Sequence, residues 1–230
     1  MIHLAGIPER AVDEINIFAD YGLAGAIIEN YHGSTTDIET TLMLIYQQIP
    51  KEFKIGVNVL PNDYETALRL CSDYGGDFIQ LDHIAGVYGT KKAPVTMDSR
   101  IDDYTRCRAN APHLHILGGV HPKYYNPIPG SDLMADLTNA VQRADAVVVT
   151  GAGTGMATPL DKIIDFRTKL DQISPTKRIP LIIGAGLHPG NVKEQMQYAD
   201  GGIVGSCFKP NGNTMKEVDP ILVKEFMCAF

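Results

Sequence analysis

An α/β fold, with one (β/α)₈ barrel domain over residues 1–230, is predicted by two features of the sequence. Strand-like runs alternate eight times with helical patterns, and no low-complexity linker interrupts the series. Eight such repeats in 230 residues suit a compact barrel whose helices cover the outside of a parallel sheet. An open doubly wound sheet is the rival architecture. The matching strand and helix counts, without a visible second domain, favour the barrel.

The predicted strands are short runs, most of them rich in Val, Ile and Leu, of the kind that a sheet covered by helices buries on both faces. Each is separated from the next by a helical pattern, so neighbouring strands are expected to run parallel. They are Ile2–Ala5, Ala24–Glu29, Lys54–Leu60, Asp77–His83, His113–Val120, Ala146–Thr150, Pro180–Gly184 and Gly202–Ser206.

The predicted helices carry apolar residues at spacings of three and four, so that one face of each can pack on the sheet. Two long irregular stretches, residues 84–101 and 121–131, each follow a strand and are therefore expected on the catalytic face. The helical segments are Arg10–Tyr21, Thr36–Gln48, Tyr64–Tyr74, Asp102–Ala109, Asp132–Arg143, Pro159–Ile173, Asn191–Tyr198 and Pro220–Met227.

Composition excludes several classes of protein. An apolar content of 44% argues against disorder, and a net charge of -7 argues against a general nucleic-acid binder. No apolar run approaches the roughly 18 residues of a membrane span, and the first residues lack the layout of a signal peptide. The four cysteines show no C-x-x-C spacing, so they are expected to be reduced thiols of a cytoplasmic protein without a structural zinc site.

Strand periodicity predicts which side chains enter the barrel. In the run from Phe78 to His83, Ile79 and Leu81 suit the helix-facing side, so Gln80 and Asp82 point into the lumen. The same alternation turns His3 and Asn58 inward, and Glu29 ends its strand.

Such inward polar groups must pair or face a ligand, because burying them without partners costs several kcal/mol. For His3 and Gln80, a satisfied polar layer of the core is an equal alternative. Glu29 and Asp82 lie nearer the strand ends, which favours a functional role.

Glycines near the ends of the last two strands predict a phosphate site. Gly184 and Gly186 end the seventh strand, and Gly205 and Ser206 end the eighth. Backbone N–H groups at such positions can approach an anion closely. The plainer alternative is turn chemistry, since glycine ends many strands.

Two further segments supply candidate ligand-binding groups. His121 and Lys123 follow the fifth strand, on the expected catalytic face. The run from Thr150 to Gly155 resembles a dinucleotide fingerprint, but Met156 replaces its last glycine. We interpret this run as a loop that offers threonine hydroxyls, including that of Thr150, to a ligand.

Several separate motifs occur in order along the whole chain. They are Ile28-Glu29-Asn30, Gly56-Val57-Asn58-Val59-Leu60 with Asn62-Asp63, Val149-Thr150-Gly151 with Thr154-Gly155, Ala199-Asp200-Gly201, Ile203-Val204-Gly205-Ser206, Phe208-Lys209, Gly212-Asn213 and Val218-Asp219-Pro220. Together these motifs resemble the BtpA family, which includes photosystem I biogenesis proteins and SgcQ-type nucleoside triphosphatases. The resemblance implies a phosphate-binding (β/α)₈ barrel.

The chain departs from this family pattern in its fourth and fifth strands. The family's fifth strand tends to end in Asp-Val-x-x-Lys-His, whereas here Gly119 replaces the Asp and Tyr124 the His. The fourth strand tends to read Arg-Val-Asn, whereas here it reads Gln80-Leu81-Asp82, with a base lost and an acid gained. These changes predict a different substrate or a lost activity.

The favoured function is an enzyme acting on a small phosphorylated metabolite, such as a nucleotide, a nucleoside or a sugar phosphate, by hydrolysis or by phosphoribosyl or glycosyl transfer. Glu29 or Asp82 would be the general acid or base, and Lys123 would neutralise developing negative charge. His3, Asn58, Gln80, His121 and Thr150 would bind the substrate. No residue is assigned as a metal ligand, although Mg²⁺ held by one carboxylate and substrate phosphates stays an alternative.

Two other classes of function stay open. A non-catalytic assembly or stability factor would keep the phosphate pocket as a vestigial or regulatory site. A barrel that binds a flavin, or another cofactor with a phosphate tail, would use the same late glycines. Association into a homo-oligomer is compatible with the fold, but no heptad or interface stripe supports a particular number.

Overall fold

The computed structural model describes residues 1–46, 48–49, 52–90 and 93–230. Within these residues, eight parallel strands form one curled sheet in which each strand pairs with the next along the barrel, and helices lie between successive strands. The predicted (β/α)₈ barrel is therefore the observed fold. A second, three-stranded antiparallel sheet lies in the connections that leave two of the barrel strands.

The barrel strands are shorter than the sequence runs that predicted them. Pairing is in register through the sheet, with Ile28 opposite Val57 and Ile79 opposite Ile116. The strands are β1 (Ile2–His3), β2 (Gly25–Glu29), β3 (Lys54–Asn58), β4 (Phe78–Leu81), β7 (His115–Gly119), β9 (Ala146–Val149), β10 (Leu181–Ile183) and β11 (Gly201–Gly202).

The helices agree closely with the predicted segments, with one exception. The seventh is a single turn, because the expected helix from Asn191 to Tyr198 closes only over Val192–Gln195. The helices are α1 (Arg10–Asp20), α2 (Thr35–Ile45), α3 (Tyr64–Asp73), α4 (Ile101–Ala109), α5 (Leu133–Arg143), α6 (Leu160–Ile173), α7 (Val192–Gln195) and α8 (Pro220–Ala229).

Local sequence signals position several helix starts. Ser34 and Asp37 form a reciprocal capping box at the start of α2. The side chains of Asp63, Asp132 and Asp219 accept hydrogen bonds from the first turns of α3, α5 and α8. These four caps satisfy backbone N–H groups in the first turns of α2, α3, α5 and α8 and so define where these helices begin.

The two long irregular stretches contain a small sheet that the sequence pattern did not predict. Its strands are β5 (Val87–Gly89), β6 (Val95–Thr96) and β8 (Asn126–Pro127), with β5 in the middle. Strands of two or three residues are too short to show a period of two, and β8 contains a proline. The predicted strand Gly202–Ser206 is also shorter, since Ser206 begins a 3-10 helix, Ser206–Phe208.

The barrel closes where the first and last strands approach each other. The N-terminal ammonium of Met1 donates a 2.7 Å hydrogen bond to the carbonyl oxygen of Val204. A Cβ atom built on Gly205 would lie 2.8 Å from the imidazole Cε1 of His3. Glycine at position 205 therefore permits the close approach of this segment to β1.

The interior of the barrel has an apolar lower layer and a polar upper layer. The apolar layer lies toward the start of the strands, and its side chains form a cluster separate from the main core between strands and helices. Ile79 and Leu81 belong to that main core, so the predicted orientation of β4 is correct. The lower layer consists of Met1, Ile27, Phe78, Leu117, Val148, Ile182 and Ile203.

A buried ion pair joins α1 to the chain that follows the last strand. The Nζ atom of Lys209 lies 3.2 Å from Oε1 of Glu14, and both side chains are almost inaccessible to solvent. Lys209 also donates to the carbonyl of Lys216, and the same Glu14 oxygen accepts from the N–H of Val218. This pair fixes residues 209–218 against the barrel. No helix in the described part of the chain is long and apolar enough to span a lipid bilayer.

Candidate active site

A cavity opens at the carboxyl ends of the barrel strands. Its volume is about 580 Å³ when the open mouth is included. Most of its lining comes from residues at or just beyond strand ends. The lining residues are Glu29, Tyr31, Leu60, Gln80, Leu81, Asp82, Gly119, Pro122, Lys123, Tyr124, Val148, Thr150, Thr154 and Gly184.

Glu29 ends β2 with its carboxyl group buried in the polar layer. Nδ2 of Asn58, the last residue of β3, donates a 2.9 Å hydrogen bond to Oε1 of Glu29. Burial raises the pKa of Glu29 to about 7, opposed by the positive charge of Lys123 and supported by the negative charge of Asp82. A carboxyl group in this state can exchange a proton near neutral pH.

His3 lies on the other side of Glu29, with its Nε2 atom 3.7 Å from Oε2 of the carboxyl group. Burial lowers the pKa of His3 to about 2, so the imidazole is neutral and the contact is not an ion pair. Its Nδ1 atom is buried without a hydrogen-bond partner among the described residues. His3 therefore contacts Glu29 on the side away from the cavity and does not line the cavity itself.

Asp82 follows β4 and faces the same cavity as Glu29. The hydroxyl of Tyr125 donates to Oδ2 of Asp82 over 3.3 Å. Burial raises the pKa of Asp82, and the positive charge of Lys123 and the hydrogen bonds from Tyr125 and Asn58 oppose this shift. Lys123 thus acts electrostatically on both carboxyl groups. The structure brings together the three residues that the sequence analysis assigned to catalysis.

An aromatic cluster supports Tyr125, and the sequence analysis missed it. The ring of His83 lies 5.2 Å from that of Tyr125 and 5.5 Å from that of Tyr88. Tyr88 belongs to β5, so the small sheet buries this cluster beside Asp82. The clustering of Tyr88, Tyr124 and Tyr125 beyond strand ends was the available signal, but their contacts depend on the unpredicted β5–β8 pairing.

Three of the expected ligand-binding residues, His3, Asn58 and His121, are not among those that line the cavity. The backbone of His121 has a φ of 46°, and its Nε2 atom lies 2.8 Å from Oδ2 of Asp136 in α5. The imidazole therefore pairs with the outer helix layer. Lys162 in α6 is a neighbour that the sequence did not suggest, and its Nζ atom donates to the carbonyl oxygens of His121 and Thr150.

Gln80 and Thr150 both line the cavity, as expected from their strand positions. The Oγ1 atom of Thr150 accepts a 2.6 Å hydrogen bond from the backbone N–H of Lys123. This bond positions the Lys123 segment over the cavity. Oε1 of Gln80 is buried without a hydrogen-bond partner within the described residues, so it is available to a ligand donor.

Of the four late residues assigned to phosphate, only Gly184 lines the cavity. The loop after β9 covers Gly186, because a Cβ atom there would lie 2.2 Å from the carbonyl oxygen of Met156. The same loop approaches Ser206, whose Oγ lies 2.9 Å from a Cβ atom built on Gly155. Within the described residues, the N–H groups of Gly186, Gly205 and Ser206 donate no hydrogen bond to the protein.

Metal ligands are sparse in this region. Among the residues that the structure describes, no group of three or more His, Cys, Asp or Glu side chains could hold a metal ion. The donors present are the carboxyl groups of Glu29 and Asp82. One or two carboxylates are the usual protein contribution to a Mg²⁺ ion that also binds substrate phosphates.

The fold and the site define a (β/α)₈-barrel protein with two coupled carboxyl groups and a lysine at the carboxyl ends of its strands, the face on which enzymes of this fold carry their active sites. Comparison with known families makes this class more specific. The chain belongs to the BtpA family, whose sequence model matches residues 2–230.

Relatives in other organisms match almost the whole chain. An uncharacterized protein of Pyrococcus abyssi is 30% identical over 223 residues, which cover 92% of this chain and 82% of that protein. The photosystem I biogenesis protein BtpA of Synechocystis is 27% identical over 237 residues, which cover 98% of this chain and 80% of that protein.

Solved structures of the same fold come from enzymes. Phosphoribosyl anthranilate isomerase from Thermus thermophilus superposes with a TM-score of 0.62 at 14% identity, covering 97% of this chain and 94% of its own. Thiamine phosphate pyrophosphorylase from Pyrococcus furiosus gives a TM-score of 0.57 at 15% identity, covering 95% of this chain and 88% of its own. At such identities the likeness establishes the fold alone.

Proposed function

We propose that this protein is an enzyme that acts on a small phosphorylated metabolite by acid–base chemistry of carboxyl groups. The observation that carries the proposal is the enclosure of Glu29 and Asp82 in one cavity under the charge of Lys123. Burying two carboxyl groups costs free energy, as their raised pKa values indicate, and a purely structural core would avoid this cost. Their position at the catalytic end of the barrel therefore favours a functional role.

In this proposal Glu29 exchanges the proton, because its pKa of about 7 leaves both of its states populated near neutral pH. Asp82 carries negative charge beside the reacting group, and Lys123 neutralises charge that develops on the substrate. Gln80 lines the cavity and orients a substrate hydroxyl through its unpartnered Oε1 atom, and Asn58 positions the Glu29 carboxyl group. Transfer or hydrolysis at a ribosyl carbon would use one carboxylate to stabilise an oxocarbenium-like transition state.

The phosphate would bind beside Gly184, with Gly186 and Ser206 close to the loop after β9 and Gly205 beside His3. Movement of that loop would open the N–H groups of Gly186 and Ser206 to the anion. Two enzymes of the same fold, phosphoribosyl anthranilate isomerase and thiamine phosphate pyrophosphorylase, have names that refer to phosphorylated compounds, and they support this placement by analogy. Mg²⁺ held by Glu29 or Asp82 together with substrate phosphates is a variant of the same proposal.

The test is a thermal-shift screen of nucleotides, nucleosides and sugar phosphates, with and without Mg²⁺. A ligand at about 100 times its Kd stabilises the fold by about 2.7 kcal/mol, which raises the Tm of a chain of this size by several degrees. Ligands that raise the Tm are then tested for turnover by the protein. A screen in which no phosphorylated compound raises the Tm contradicts the proposal.

A second candidate is a non-catalytic assembly factor, favoured by the printed name of the Synechocystis relative, a photosystem I biogenesis protein. The two candidates differ in what the carboxyl groups do. A phosphorylated ligand that binds but is not turned over, with equal affinity in the Glu29→Gln and Asp82→Asn variants, supports this second candidate and contradicts the first.

A further inference from the structure

We propose that Tyr124 is a specificity-determining residue that stacks on a planar aromatic ring of the phosphorylated substrate. This inference rests on the proposed function and narrows its substrate class to phosphorylated compounds that carry a nucleobase or another aromatic ring.

The ring of Tyr124 is exposed but held in place. Tyr124 lines the cavity, and 66% of its surface is accessible to solvent. Its hydroxyl donates to Oγ1 of Thr154 over 3.1 Å and accepts from the backbone N–H of Thr154 over 2.9 Å. A large aromatic ring fixed at a cavity mouth loses little further freedom when a flat ligand stacks on it.

The backbone at Tyr124 supports the same conclusion. Its φ of 68° lies in the left-handed region, which costs a bulky non-glycine residue free energy. His121, three residues earlier, also has a positive φ of 46°. Two such residues in one short turn aim the Tyr124 ring at the mouth, and strained backbone of this kind concentrates at functional sites.

The depth of the cavity separates the two parts of the expected ligand. Glu29 is buried in the interior of the cavity, whereas the exposed Tyr124 ring lies at its mouth. A ligand that reaches both residues must therefore extend outward, with its ring at the mouth. Two aromatic side chains line this cavity near its rim, Tyr124 after β7 and Tyr31 after β2, and Tyr31 is held by ring contacts with His3 and His32.

The Tyr124 contact is continuous with the predicted phosphate site. Thr154, which anchors the Tyr124 hydroxyl, is followed by Gly155 beside Ser206 and by Met156 over Gly186. A ligand that stacks on Tyr124 and binds phosphate behind this loop would contact both of its ends. Stacking and phosphate binding are therefore expected to strengthen each other.

The experiment compares pairs of ligands that differ by an aromatic ring. Dissociation constants are measured for AMP against ribose 5-phosphate and for phenyl phosphate against inorganic phosphate, by calorimetry or tyrosine fluorescence. Base–aromatic stacking predicts that AMP binds about tenfold more tightly than ribose 5-phosphate. Tyr124→Leu should lose this advantage while keeping its affinity for ribose 5-phosphate, and Tyr124→Phe should keep most of it.

Tyr46→Leu is the matched control, because Tyr46 is 50% exposed, follows α2 and does not line the cavity. Tyr124→Ser provides a second ring-free variant if Tyr124→Leu melts early. Equal binding of AMP and ribose 5-phosphate, or an AMP advantage that survives both ring-free variants, overturns the inference and leaves the proposed function standing.

The remaining outcomes separate the two proposals. If none of the four phosphorylated probes binds, the proposed function fails and the inference with it. If only AMP binds more tightly than its ring-free partner, ribose 5-phosphate, the ring that Tyr124 recognises is a nucleobase. If phenyl phosphate also binds more tightly than inorganic phosphate, the requirement is an aromatic ring close to the phosphate.

Discussion

Asn58 and Glu29, on neighbouring strands, share a buried 2.9 Å hydrogen bond that leaves the amide oxygen of Asn58 without a partner within the described residues. The amide is thereby oriented, since Nδ2 is committed to the carboxyl group and Oδ1 is not. A buried acceptor left in this state costs free energy unless a ligand donor completes it. The hydrogen bond from Nδ2 therefore holds the Glu29 carboxyl group in place and opposes the rise of its pKa that burial causes.

The first prediction concerns pH and Glu29. The folded chain keeps a proton on this residue between its ordinary pKa of 4.5 and its folded pKa of about 7, whereas the unfolded chain releases it. The free energy of unfolding should therefore fall by up to about 3 kcal/mol as pH rises from 4.5 to 7 and level off above. The free energy of unfolding of Glu29→Gln, measured by urea denaturation, should not show this fall between pH 4.5 and 7. The exposed-site variant Glu9→Gln should retain it, and identical pH profiles for all three proteins would contradict the raised pKa.

The second prediction concerns Asp82 in the proposed enzyme. Asp82→Asn keeps the shape of the side chain and removes a charge that burial already disfavours, so the Tm should change by only a few degrees. Turnover of a substrate found in the ligand screen should fall by about 100-fold or more, as for the loss of a group that stabilises charge in the transition state. Asp20→Asn, at an exposed position ending α1, is the control. Full activity in Asp82→Asn would refute a catalytic role.

The third prediction concerns Gly186 and the loop that covers it. Gly186 and Gly22 both have positive φ values, 72° and 77°, but only at Gly186 would a Cβ atom meet backbone, 2.2 Å from the Met156 carbonyl oxygen. Gly22→Ala should cost about 1 kcal/mol, the left-handed penalty alone. Gly186→Ala should cost about 1–3 kcal/mol more from overpacking. Chemical denaturation of both variants measures the difference, and equal losses would show that the loop is not held there.

The fourth prediction concerns the buried pair of Lys209 and Glu14. Lys209→Met should destabilise the protein by about 3–5 kcal/mol, because it leaves the Glu14 carboxyl group buried without its cation. Adding Glu14→Gln should recover much of this loss. Lys169→Met, which breaks an exposed pair with Asp165, should cost less than about 1 kcal/mol. A Lys209→Met variant as stable as Lys169→Met would mean that the buried pair carries no net stability.

Residues whose positions depend on strand alternation could be predicted from the sequence. Within one strand, apolar Ile79 and Leu81 alternate with polar Gln80 and Asp82. Because successive side chains of a strand point to opposite faces, this alternation directly predicts which of them enter the barrel. The position of Glu29 follows from its place at a strand end. No long-range contact had to be known for these assignments.

The remaining features depend on contacts between distant segments. His121 sits just beyond a strand end, but a backbone φ of 46° turns its side chain to Asp136. Lys209 and Glu14 are 195 residues apart, and nothing near either one signals the other. The cover over Gly186 depends on how the loop after β9 folds back, which its glycines permit but do not specify.

The close approach of β7 to the chain that follows β4 has a consequence for where the Asp82 carboxyl group can lie. A Cβ atom on Gly119 would lie 1.9 Å from the backbone carbonyl oxygen of Asp82, so any side chain at position 119 would force the two backbones apart. An aspartate at position 119 would therefore displace the Asp82 backbone instead of simply adding a third carboxylate. The missing side chain of one residue is thus a condition for the acidic group of another.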